Sequence, residues 1–78
     1  MRINKVRVQY LLAIKEICDT SIWASPKEIV NKMGKKLDVV CMMLRRLLED
    51  GLLEKGGRGM YKPTKEAIET LRKLGYLE

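Results

Sequence analysis

The residues of this 78-residue chain that can do chemistry are its cations: 16 Lys and Arg stand against 10 Asp and Glu, for a formal charge of +6. There is no histidine, so the usual general base near neutral pH is missing, and no Ser-His or Cys-His pair can be built. The two cysteines, Cys18 and Cys41, form no CxxC pair. A zinc site needs about four N/S ligands, so neither a zinc site nor any other metal site is expected. Both cysteines lie in helical patterns near apolar neighbours and are expected to be reduced, at or beside the core. Gly56-Gly57-Arg58-Gly59 imitates a phosphate-binding loop, but strand-type residues follow it where such a loop needs a helix. No enzyme activity and no cofactor are expected. What remains is electrostatic: the cations are spread along the whole chain, which favours an anionic partner, nucleic acid before membrane surface.

These side chains need elements to position them. The length fits one domain, 1–78, with a thin core. Glycine and proline divide it into four helical patterns and one hairpin. The first helix is predicted from Asn4 to Cys18, with Ile3, Tyr10, Ile14 and Ile17 inward, and Asp19-Thr20-Ser21 ending it. Ile22-Trp23-Ala24 reads as a brief strand or an extended anchor. Ser25-Pro26-Lys27-Glu28 is a strong helix start, with a capping serine, proline at the first position and glutamate three residues on. Gly34 stops that helix. A third helix spans about Lys36 to Asp50, with Val40, Met43, Leu44 and Leu47 along one stripe, Leu37 and Leu48 bordering it, and Gly51 as its stop. Leu52 to Lys55 and Met60 to Lys62 flank a glycine-rich turn, the signature of a β-hairpin. Thr64 starts a last helix whose Ala67, Ile68, Leu71 and Leu74 share a face.

The second and third helices, joined by a short turn at Gly34-Lys35, have the spacing of a helix-turn-helix, though any packed helix pair can share it. The passage Leu47-Leu48-Glu49-Asp50-Gly51-Leu52-Leu53, followed at once by the glycine-tipped hairpin and Met60-Tyr61-Lys62-Pro63-Thr64, resembles the winged helix-turn-helix superfamily of transcription regulators over nearly the whole chain. Regulators of the multiple-antibiotic-resistance, arsenical-resistance and iron-dependent repressor kinds share the pattern. Ala67 stands where the superfamily usually has glycine. The resemblance implies a mainly α fold: a three-helix core, a small β-hairpin wing and a C-terminal helix. It also implies binding of double-stranded DNA, with the third helix in the major groove.

With Val40 and Leu44 inward, about 100° per residue turns Asp38, Met42 and Arg45 outward, with Val39 and Arg46 beside them. Asp38, Val39, Met42 and Arg45 are therefore the candidate base readers: Arg45 for guanine, Val39 or Met42 for a thymine methyl, Asp38 for cytosine. The helix has no Asn, Gln, Ser or Thr, residues common in base readers. Ser25, Lys27, Lys35, Lys36, Arg46 and Arg58 are the candidate phosphate or groove contacts, Arg58 from the thin hairpin tip. The competing readings are a partner-facing apolar patch for Val39 and Met42, a face paired with Glu49 or Asp50 for Arg45 and Arg46, and plain solubility for Arg58. With Tyr10 and Ile14 inward, Val8 and Leu12 come out on the far side of the first helix. Together with Leu71 and Leu74 they form the expected interface of a homodimer. The alternative is a winged-helix module that docks a protein in a transcription or nucleic-acid assembly. Arg2, Lys5 and Arg7 are not followed by a signal-type apolar run, and no stretch reaches the roughly 20 apolar residues of a membrane span. A cytoplasmic location without membrane contact is expected.

Overall fold

Local capping chemistry sets three of the four helix starts. The computed structural model describes residues 3–78, and Arg2 lies outside them. Helix α1 spans Lys5–Ser21, and the Asn4 side chain caps it by accepting from the Arg7 N–H at 2.8 Å. It continues through Asp19-Thr20-Ser21, where the sequence predicted its end. Two of those residues find partners on the helix itself: Lys15 Nζ donates to Asp19 Oδ2 at 2.9 Å, and Thr20 Oγ1 donates to the Ile17 carbonyl at 3.1 Å. Helix α2, Pro26–Met33, carries the full capping box. The Glu28 N–H donates to Ser25 Oγ at 3.2 Å and the Ser25 N–H to Glu28 Oε1 at 3.0 Å. Gly34 closes α2 at φ 69°, a left-handed value that glycine takes without strain.

Helix α3, Leu37–Glu49, begins after Lys36 with no side-chain cap. Strands β1, Leu53–Lys55, and β2, Tyr61–Pro63, pair antiparallel with Glu54 opposite Lys62. Helix α4, Lys65–Lys73, starts at Thr64, whose hydroxyl accepts from the Ala67 N–H at 3.2 Å and donates to the Gly51 carbonyl at 2.9 Å. One hydroxyl thereby ties the end of α3 to the start of α4. Ala24 is the anchor that the short run before α2 suggested. It exchanges two backbone bonds with Tyr61, at 2.7 and 2.9 Å, and lies outside β2 as a one-residue third strand.

The protein is thus mainly helical, with four helices and a small antiparallel hairpin among the described residues. Its buried side chains, Ala13 excepted, form one cluster. Tyr10, Leu11 and Ile14 of α1 meet Ile29 of α2, Val40, Leu44 and Leu47 of α3, Leu53 of β1 and Leu71 of α4. Fully burying a leucine or isoleucine contributes about 1.5–3 kcal/mol, so this cluster is the main stabilising term. No helix among the described residues is long and apolar enough to cross a membrane.

Burial corrects several expectations. Val8 is only 3% exposed. It sits about 120° round the helix from Ile14, and α1 packs against both α2 and β2, so its covered arc is wider than one amphipathic stripe. Leu71 is also buried, pointing inward one turn after Ala67. Neither residue can serve a dimer interface. Leu12 is half-buried, and with Ala13 and Met33 it lines an open groove of about 470 Å³ between α1 and α2. Leu37, expected at the border of the α3 stripe, is 56% exposed at the first position of the helix. Both cysteines are free, but only Cys18 adjoins the core; Cys41 is exposed on α3.

Candidate nucleic-acid interface

Helix α3 offers solvent a mixed surface. Val40, Leu44 and Leu47 anchor it from within, and helical geometry then turns Asp38, Val39, Met42, Arg45 and Arg46 outward, where all five are exposed. The first half of this outer face is largely apolar and the second half basic. Asp38 is engaged locally: its Oδ1 accepts from the Val39 N–H at 3.0 Å, and its charge offsets the positive end of a helix that lacks a side-chain cap. That role competes with base reading.

The cations expected to contact phosphate are exposed: Lys27 in the first turn of α2, Lys35 and Lys36 between α2 and α3, Arg46 on α3 and Arg58 at the hairpin tip. Among the described residues the ion pairs are Arg7–Asp50, Lys15–Asp19, Lys32–Glu16 and Lys62–Glu54. Lys27, Lys35, Lys36, Arg45, Arg46 and Arg58 take part in none of them. Neither Arg45 nor Arg46 pairs with Glu49 or Asp50 here; Asp50 faces Arg7 instead. Ser25 is half-buried; its backbone N–H donates to Glu28 and its hydroxyl oxygen accepts from the Glu28 N–H in the capping box.

Backbone bonds shape the hairpin tip. The Gly56 N–H donates to the Met60 carbonyl at 2.9 Å, and the Met60 N–H donates to the Gly57 carbonyl at 3.2 Å. The inner turn therefore runs Gly57-Arg58-Gly59-Met60, with Gly59 at φ 68° in the position where a type II turn needs glycine. Gly59 also lies close to the start of α2, where a Cβ added to it would stand 3.9 Å from Pro26 Cδ. The fold thereby brings Arg58 to the α2 end that carries Lys27.

Sequence reasoning missed Trp23, the only tryptophan in the chain. Its indole presses on Gly56 so closely that a Cβ there would meet ring carbons at 2.6–2.8 Å. Lys62 Nζ stands 4.7 Å from the ring centroid and 3.6 Å from Glu54 Oε1. A lone tryptophan and a glycine that opens a hairpin turn were the available signals, but nothing in the sequence says that they meet.

Burial pushes the Cys18 thiol above its ordinary pKa, and Asp19 and Glu28 add to the shift. The thiol donates to the Tyr61 carbonyl at 3.5 Å. No group of three or more Cys, Asp or Glu able to hold a metal occurs among the described residues. In comparison with known proteins, the chain matches no protein-family model and no curated sequence.

Proposed function

We propose that this chain is a winged helix-turn-helix domain that binds double-stranded DNA as a transcription regulator, and that it is not an enzyme. In this reading α3 lies in the major groove and the Gly56–Gly59 tip meets the minor groove or the backbone. One observation carries it: of the eleven exposed cations outside every ion pair among the described residues, six lie on α2, its turn, α3 and the tip. Such cations are free to replace the counterions condensed on DNA. Arg45 is the guanine reader, Met42 and Val39 the thymine-methyl contacts, and Lys36 and Arg58 sequence-independent anchors. We further propose a cytoplasmic homodimer; two free cysteines are usual in that compartment.

The second reading is a protein-docking module, and the exposed Leu37, Val39 and Met42 favour it. Salt decides between the two. Six neutralised phosphates make affinity for duplex DNA fall roughly a thousandfold between about 50 and 200 mM salt. Arg45→Ala weakens only the best site, by about 1–3 kcal/mol, whereas Lys36→Ala weakens every duplex alike. Affinity that stays flat across that salt range removes the DNA reading and leaves the docking one.

A further inference from the structure

We infer that Trp23 is a positioning residue for the hairpin tip and fixes where Arg58 is presented. The inference rests on the DNA-binding reading for its consequence, but not for its geometry. The corner between α1 and α2 holds the tip at its first glycine. Before Arg58, the Trp23 indole covers Gly56 at a distance that leaves no room for a β-carbon. After Arg58, Gly59 faces Pro26 with room to spare, since a Cβ there would stand 3.9 Å from Pro26 Cδ. Between them Ala24 bonds to Tyr61 and continues the sheet outward. Lys62 then sits over the indole while also facing Glu54 across the hairpin. A cation over an aromatic face is attracted by the ring's quadrupole, so the contact links the indole to the β2 strand as well.

This arrangement answers a physical difficulty. Two strands of three residues make a hairpin that is marginal on its own. A tip with glycine at 56, 57 and 59 loses much conformational entropy when it is ordered. An arginine on a loose tip would bear that loss on binding; on a tip already held it does not. The glycine at position 56 has its own explanation here: only a residue without a side chain lets the indole close on the strand end.

The test has one arm without DNA and one with it. In the free protein, backbone order parameters of Gly57, Arg58 and Gly59 should be above about 0.8 in wild type and in Trp23→Phe. They should fall below about 0.6 in Trp23→Ala and in Gly56→Ala, where the new methyl displaces the ring. Amide-exchange protection in α1 and α3 identifies any variant that has lost its fold, and Trp23→Phe and Gly56→Ala still test the claim if Trp23→Ala has. Tip order unchanged when the ring is removed or displaced overturns the inference, whatever the DNA result.

In the second arm, binding to one fixed 20-base-pair duplex is compared for wild type, Trp23→Ala, Arg58→Ala and the double variant. Each single change should weaken binding roughly tenfold, and the double variant should be no weaker than either, with the salt slope reduced once, by about 1. Losses that multiply to roughly a hundredfold show that Trp23 does not act through Arg58 and overturn the inference. Ordered tips in a wild type with no affinity for duplex DNA would sink the DNA reading while leaving the clamp itself standing.

Discussion

Arg7 Nε lies 2.9 Å from Asp50 Oδ2, which joins the first turn of α1 to the residue that caps α3. The two are paired by charge, with no aligned hydrogen bond at the solvent-shielded Nε. Asp50 belongs to the acidic-glycine passage on which the resemblance to regulators rests, and here it holds two helix ends together. Both side chains keep partial access to water, so the pair is worth much less than a buried one. Asp50→Asn should lower unfolding stability by about 1 kcal/mol, seen as a lower urea midpoint with an unchanged slope. Because the change removes a negative charge near α3, DNA affinity should not fall. A stability loss near zero would show that screening cancels the pair.

Ile22 is the one described residue other than glycine with a positive φ, at 69° with ψ −50°. The Trp23 N–H donates to the Ser21 carbonyl at 2.7 Å, so the three residues form a strained γ-turn. A β-branched side chain is poorly suited to that conformation, and at 68% exposure it gains little from burial. Ile22→Gly should therefore stabilise the protein by about 1 kcal/mol, strain relief of about 1–3 kcal/mol outweighing the extra chain entropy of glycine. A lower melting temperature in that variant would mean that Ile22 contributes packing its exposure does not reveal.

What could be read in the sequence was what is local. Ser25 and Glu28 are three residues apart and bond to each other, so their order along the chain is enough to reveal the capping box. Gly34 and Thr64 likewise act on their own helix ends. Val8 could not be placed in this way. Its burial depends on how much of α1 the rest of the chain covers, and that is a tertiary fact. The strain at Ile22 runs against its own propensity, so the sequence argues against it. Trp23 and Gly56 meet only because Ala24 pairs with β2. Of the candidate interface, the outward set on α3 followed from helical period alone, while the engagement of Asp38 with its own helix end did not.

The two thiols should differ in reactivity. Thiolate is the nucleophile, and burial holds the Cys18 thiol in its protonated form. Cys41 is exposed on α3. Alkylation near pH 8 followed by mass spectrometry should modify Cys41 first, with Cys18 lagging. The raised pKa also fixes a sign. In the unfolded chain Cys18 loses its proton from about pH 9.0 upward while the folded chain still holds it, so stability is intact below that pH and falls above it. Tyr10, raised by burial from 10.0, extends the loss to higher pH. If α3 lies in the major groove, saturating duplex DNA should also slow alkylation of Cys41 but not that of Cys18. Equal rates for Cys41 with and without DNA would count against that placement.

The proposed dimer needs a surface other than Val8 and Leu71. Leu74 is 51% and Tyr76 48% exposed, just past the end of α4. They are not on a loose tail: the Tyr76 N–H donates to the Leu71 carbonyl at 2.9 Å, and Arg72 Nε donates to the Glu78 carbonyl at 3.0 Å. Leu77, next in the chain, packs toward the core, which leaves Leu74 and Tyr76 as an apolar pair held at the surface. Single exposed apolar residues are ordinary, whereas a fixed pair on so small a protein favours a two-fold contact. Light scattering at tens of micromolar should then report twice the 9.0 kDa chain mass. Leu74→Glu should give a folded monomer. A dimer would space two recognition helices by about 34 Å, one turn of B-DNA, and so select a near-palindromic site. A wild type that stays at the mass of one chain removes the dimer, and a Leu74→Glu protein that remains dimeric moves the interface away from α4.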